Sequence, residues 1–453
     1  MDDPVTTWFR APRFRATWFR LPWIRGATLL ALLGSMAALP AGALPQDETT
    51  APIVVRAARL LDVQTGDLMT PGVIVVEGER IRSVGGDGVP ADAQIVDLGD
   101  VTLLPGLMDM HTHLNYDLNE GWENRPVLES PELNALRGVP YARATLRAGF
   151  TTVRDLGASL GFADVALSRA INAGWIEGPR MITSGHAISI TGGHCEITGF
   201  APGILEGGPE EGVADGVAEV MKAVRYQIKH GAGVIKVCAT AGVLSFEGPA
   251  GAPQYSIEEL QAIVEEAERH GIKVAAHAHG TEGIKNAILA GIHSIDHGSI
   301  LDDEAIELMI EHDTYLVPTV FQWYLDYDLP PELAAKNAYV KSFVDESVRS
   351  AIAAGVKIAF GTDAGVFEHG WNAREFAAYV ERGMSPLDAI RTATINAADL
   401  LGVDDRGVLA PGLLADIIAV PGNPLDDVTL LEDVRFVMKG GEIFHDTVHE
   451  VDR

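Results

Sequence analysis

Several stretches of this sequence place metal-type ligands where an apolar run stops. In "LLPGLMDMHTHLN", His111 and His113 follow a hydrophobic segment and stand two residues apart. On an extended chain that spacing points both imidazoles to one side. A neutral imidazole is the commonest metal ligand near neutral pH. Lys236 lies inside the apolar "GVIKVCAT" with no acidic neighbour in sequence, and burying an unpaired ammonium is costly enough to demand a chemical reason. His277 and His279 end "VAAHAHG", His297 ends "SIDHGS", and Asp363 lies in "FGTDAG". Singly, each residue has an ordinary structural explanation. Together and in this order, packing does not account for them.

The elements that carry these residues alternate. From Leu103 to Leu401, short apolar strands ("LPGLMDMHTH", "TTVRDLG", "RMITSG", "GVIKVCAT", "KVAAHAHG", "SIDHGS", "TYLVPTV", "KIAFGTDAG") are separated by amphipathic segments such as "IEELQAIVEEAERHG" and "TEGIKNAILAG". Each of those segments ends on Gly, as helix C-termini do. Strands alternating with helices predict an α/β fold with a parallel sheet, and eight of them predict a (β/α)8 barrel over residues 105–403. An open doubly wound sheet would want a Gly-rich phosphate loop after its first strand, which is not seen. In such a barrel, chemistry sits at the C-terminal strand ends, where the residues above lie. Residues 52–104 and 404–449 share another texture, short alternating strands between Gly and Asp clusters, and predict one small β-sandwich built from both ends of the chain.

The ordered set "DMHTHL", "IKVCAT", "AHAHG", "DHGS" and "GTDAG" resembles the amidohydrolase superfamily, and "GVLAPGLLADIIAV" resembles its returning sandwich strand. The resemblance implies two divalent ions, zinc by expectation. His111, His113 and Asp363 would hold one and His277 and His297 the other, with Lys236 carboxylated on its amine and bridging both. It also implies that Asp363 takes a proton from the attacking water and passes it to the leaving nitrogen, giving hydrolysis of an amide C–N bond. A mononuclear deaminase is disfavoured, because Lys236 is present and Glu282 falls too far along "AHAHGTEG". The resemblance further implies that His194 contacts the scissile carbonyl, that Tyr255 helps hold a substrate carboxylate, and that His279 contacts substrate or orients a ligand.

Substrate size is read from loops. "AGVLSFEGPAGAPQYS" is long and Gly/Pro-rich, as a lid would be, while "FQWYLDYDLPPEL" and "VFEHGW" add clustered aromatics, including Phe367 and Trp371, that suggest an apolar pocket. A hydrophobic N-acyl amino acid or dipeptide is the expected substrate. The Xaa-Pro dipeptidase-like branch resembled here includes exported bacterial members that hydrolyse ochratoxin A, which makes that compound a candidate. A cyclic amide, or a catalytically dead binding barrel, is the alternative. Members of this branch often assemble as octamers, so a homo-oligomer is expected.

The net charge of −29 argues against a nucleic-acid partner, because phosphate contacts need clustered Lys and Arg. The first 43 residues differ from the rest: Arg10, Arg13, Arg15, Arg20 and Arg25 precede an apolar run ending in Ala41-Gly42-Ala43. This reads as a secretory signal peptide, with export and no stable membrane insertion after its removal. Only Cys195 and Cys238 are present; one bridge is open to them, since both lie just after predicted strands, but two unpaired buried thiols are expected.

Overall fold

The computed structural model describes residues 51–449 apart from 87, 120, 158 and 159. The expected signal segment, 1–43, lies outside the described residues. Among them, no helix is long and apolar enough to cross a membrane.

Two sheets draw on the sequence-distant ends. One, of four strands, comes wholly from the N-terminal part: Ile53–Ala57 lies between Gly72–Glu77 and Gln94–Asp97, and Arg80–Val84 forms an edge. The other joins Arg59–Leu61, Leu68–Met69 and Val101–Pro105 to Ile417–Pro421, Phe436–Lys439 and Glu442–Asp446. Its central pairing is antiparallel, Val101–Pro105 against Ile417–Pro421. Alternation of side chains sends Val55, Ile74, Val76 and Ile81 of the first sheet, and Leu60, Leu103, Ile417, Phe436 and Met438 of the second, into one shared buried core.

Between these ends, strands and helices alternate as the sequence predicts. Parallel pairing runs Arg180–Thr183, Phe150–Asp155, Leu107–Thr112 in one arc and Ile235–Cys238, Val274–Ala278, Ser294–His297, Tyr315–Val317 in another. These strands are buried along their length except at Arg180 and Ile182, as befits a parallel sheet covered by helices on its outer face. Segment 357–364 bonds to both arcs: the Leu316 N–H donates to the Lys357 carbonyl, and the Met110 N–H to that of Phe360. On the other side Ile188 pairs with Val237. The eighth expected strand, "KIAFGTDAG", is thus held by isolated bridges rather than a continuous ladder.

The helices have local causes. Ile257–Glu268 opens with a reciprocal cap, in which the Ser256 side chain accepts from the Glu259 N–H and the Glu259 carboxylate accepts from the Ser256 N–H. It stops short of the glycine expected to end it. Gly271, at φ +69°, turns the chain three residues later, letting the Ile272 N–H reach the Ala267 carbonyl.

Candidate metal centre and active site

Strand ends bring the sequence-distant residues together. His111, His113 and Asp363 form one group able to hold a cation, and His277, His279 and His297 another, the ligand atoms of each lying within 4.8 Å of one another. In the first group, Asp363 Oδ1 lies 3.1 Å from His113 Nε2 and 3.5 Å from His111 Nε2. The two groups touch, with the His111 and His297 rings 4.9 Å apart. His297 (φ +73°) and Asp363 (φ +66°) both hold a left-handed backbone, uncommon for residues with a side chain and frequent where a site over-determines geometry.

Behind four of the imidazoles a second contact lies against the ring. His111 Nδ1 lies 2.8 Å from Asp296 Oδ2, His113 Nδ1 3.0 Å from the Gly157 carbonyl, His297 Nδ1 2.7 Å from Thr319 Oγ1, and His279 Nδ1 2.8 Å from Ser299 Oγ. Such contacts leave Nε2 as the ligating atom and set its direction. His277 Nε2 is buried without a hydrogen-bond partner, a costly arrangement unless something else satisfies its lone pair. Burial drives His277 and His297 well below the usual imidazole range, and takes His111 down to about 4 and His279 to about 3. Neutral imidazoles with free lone pairs are what a cation requires. Burial pushes the Asp363 carboxyl up, but His111, His113 and His297 outweigh it and hold the group ionised. This donor set fits divalent cations.

Lys236 is fully enclosed, and burial lowers its amine to about 8. The acidic neighbour missing in sequence is supplied in space by Asp296, 3.9 Å away. Asp296 also receives Arg154, whose Nη2 lies 3.2 Å from both carboxylate oxygens, while the Arg154 Nε donates to the Met110 carbonyl. Sequence reasoning missed this pair. The signal was available: Arg154 in "TTVRDLG" and Asp296 in "SIDHGS" are charges inside apolar strands, the argument applied to Lys236. Gln322 was also missed; its amide donates to Asp363 Oδ2 at 3.0 Å and leaves Oδ1 toward the histidines.

A cavity of about 900 Å³ opens over the centre, lined by His111, His113, Lys236, His277, His279, His297 and Asp363. His194 also lines it, with its ring 4.2 Å from that of His277. Tyr255 is not brought there. Its side chain is buried and its hydroxyl donates to the Ala214 carbonyl at 2.9 Å, so its role is packing rather than carboxylate recognition. Of the expected aromatics, Trp323 and Tyr327 line the cavity. Phe367 instead packs edge-on against Phe321, and Trp371 stacks under the Arg374 guanidinium at 4.1 Å. Tyr116, Trp122 and Arg125 form a further part of its wall that sequence reasoning did not anticipate. The expectation of two free thiols is also corrected: Cys195 and Cys238, with Cα atoms 6.0 Å apart, form a disulfide that joins the His194 loop to the Lys236 strand.

Residues 102–444 match the Amidohydrolase family. Ochratoxinase of Aspergillus niger is 38% identical over 369 residues, covering 76% of this chain and 75% of that protein. The crystal structure of a Xaa-Pro dipeptidase with bound methionine in the active site is similar at a TM-score of 0.82 and 39% identity, covering 87% of this chain and 100% of that one. The crystal structure of the Aspergillus niger ochratoxinase gives a TM-score of 0.77 at 34% identity, covering 87% and 96%. The chain belongs to the amidohydrolase family.

Proposed function

We propose that the protein is a binuclear metal-dependent hydrolase that releases a C-terminal amino acid from hydrophobic N-acyl amino acids or dipeptides. Hydrolysis of a carbon–nitrogen bond follows from its family. The observation that carries the reading is the meeting of two ligand groups, one containing the unsatisfied His277 Nε2, beneath a single cavity. The parallel arcs and the segment bridging them are read as a (β/α)8 barrel over 105–403, and the two terminal sheets as a sandwich of 52–104 with 404–449.

In this reading His111, His113 and Asp363 would hold one cation and His277 and His297 the other, with a carboxylated Lys236 as the ligand they would share. Zinc is the proposed metal. Two such ions supply Lewis-acid polarisation and an activated water. The remaining steps fall to the chain. An amine drawn down to about 8 keeps a neutral fraction at neutral pH, the form that adds to CO2, and carboxylation replaces a costly buried cation with an anion. Asp363, steadied on Oδ2 by Gln322, accepts the proton of the attacking water and delivers it to the nitrogen, which must be protonated to leave. His194 faces the carbonyl undergoing attack, and Trp323 with Tyr327 gives the hydrophobic portion of the substrate its surface.

Ochratoxin A is the first substrate to test, on the likeness to ochratoxinase, and Xaa-Pro dipeptides the second. A panel of ochratoxin A, N-acyl-phenylalanine, Xaa-Pro dipeptides and cyclic amides, run with chelator and after zinc addition, decides between them. Release of a free amino acid, lost with chelator and restored by zinc, supports the reading. Cleavage of cyclic amides alone overturns it. Export through segment 1–43 and assembly into a homo-oligomer are proposed alongside, and are tested by N-terminal sequencing of the secreted protein and by its mass in solution.

A further inference from the structure

The imidazole of His194 is held on every side. Its backbone N–H donates to Gln254 Oε1 at 3.2 Å, and the neighbouring Cys195 is bonded to Cys238. The ring lies against Gly242 so closely that a Cβ there would fall 2.1 to 2.3 Å from its atoms. Nδ1 is 2.5 Å from Ser245 Oγ and 3.6 Å from Glu247 Oε1. Glu247 Oε1 accepts the Gly242 N–H at 2.9 Å, and against its burial the His194 ring and the Ser245 hydroxyl hold its carboxyl down to about 2. The loop bearing both side chains is clamped from outside by Lys336 of helix Pro331–Ala354, whose ammonium donates to the Ser245 carbonyl at 2.8 Å and to the Glu247 carbonyl.

We propose that Glu247, acting through Ser245, is a positioning residue that fixes the tautomer and direction of His194 for the reacting substrate. The reasoning is one of donors and acceptors. An ionised carboxylate only accepts, so a Ser245 hydroxyl turned toward Glu247 gives its proton there. The Ser245 oxygen is then left to accept, and the atom facing it, His194 Nδ1, must carry the hydrogen. Nε2 is the nitrogen that remains to meet substrate, with a defined orientation and the negative charge of Glu247 behind the ring. A serine alone would not enforce this, because a hydroxyl can turn either way. Gly242 is required because any side chain would occupy the space of the imidazole. The inference rests on the hydrolase reading for what His194 meets, and on local geometry alone for how His194 is held.

The test uses full-length metal-loaded enzyme and the variants S245A, E247Q, E247D, the S245A/E247Q double, G242A and H194A. Gln can still accept the Gly242 N–H but no longer dictates which way the serine hydroxyl points. E247Q and S245A should each lower kcat about tenfold to a hundredfold, a range typical of partners that orient catalytic side chains. KM and the two bound metals should be unchanged, and the double variant should be no worse than the poorer single one. E247D should recover part of the rate, while G242A should fall to the level of H194A. Additive losses, loss of metal in E247Q, or a kcat within twofold of wild type would overturn the proposal. Nitrogen-15 NMR of labelled histidine gives a readout independent of any substrate. Nδ1 of His194 should carry the proton in wild type, and the two tautomers should mix in E247Q. An unchanged spectrum in E247Q refutes the positioning role while leaving the hydrolase reading intact. Failure of the wild type to cleave any amide refutes the hydrolase reading and leaves the spectroscopic result standing.

Discussion

The two ligand groups at the strand ends differ in one respect that matters. His111, His113 and Asp363 include a carboxylate, whereas His277, His279 and His297 are imidazoles alone. A divalent ion in the first group is partly neutralised by its own ligands. One in the second meets only neutral donors, and Lys236, in its ordinary form, repels a cation there. On the proposed reading the all-imidazole group depends on carboxylation of Lys236, and the carboxylate-bearing group does not. Self-sufficiency on one side and dependence on the other lead to expectations that can be separated by experiment.

The largest effect is expected from Asp363→Asn, which removes the anion of the first group and the proposed proton carrier together. Turnover should fall by on the order of a thousandfold or more, with metal lost from that group first, as read by kcat and metal analysis. Lys236→Met should abolish the dependent group alone: about one ion should be retained where wild type should hold two, with turnover down at least about a hundredfold. Retention of two ions in that variant would show that the imidazoles need no anion. Third, His277→Ala should lose metal while His279→Ala should keep it, both measured by metal titration. The reverse result would exchange ligand and substrate roles between these two histidines. Fourth, Asp296→Asn should loosen both groups at once, because Asp296 serves His111, Lys236 and Arg154; metal affinity should drop about tenfold to a hundredfold in each.

The smallest expected effect concerns pH. Burial holds His111 near 4 and His279 near 3 in the folded metal-free chain, below the value of about 6.5 for an exposed imidazole. As pH falls below about 6.5 the unfolded chain takes up protons that the folded chain refuses, so stability is present above that value and declines toward pH 4. Urea midpoints of chelated protein at pH 7.5 and 5 should show this decline, and zinc, which binds the folded chain, should raise both midpoints. Equal midpoints in chelated protein would mean that these rings charge freely in the folded state.

How much of this was legible in the sequence depends on distance along the chain. Pairs at period two, His111 with His113 and His277 with His279, declare themselves, because an extended strand fixes where each side chain points. The motif order then placed Lys236, His297 and Asp363 with them. What could not be read were contacts between strands whose adjacency is a tertiary fact: Arg154 with Asp296, separated by 142 positions, or Gln322 with Asp363. The pairing of Cys195 with Cys238 belongs to the same class. Tyr255 shows the opposite failure. A residue in the expected loop turned its hydroxyl to a backbone carbonyl, a direction that loop composition does not encode.

The strand Val101–Pro105 is separated by Gly106 alone from the strand that carries His111, and its ladder partner is Ile417–Pro421. During synthesis the first histidines leave the ribosome long before that partner exists. The base of the first ligand-bearing strand therefore stays half-clad until the final stretch emerges, so maturation of the centre is timed by the last portion of the polypeptide. A chain halted before residue 417 should display an exposed hydrophobic edge rather than a weakly active enzyme, and quality-control proteases would meet it in that state.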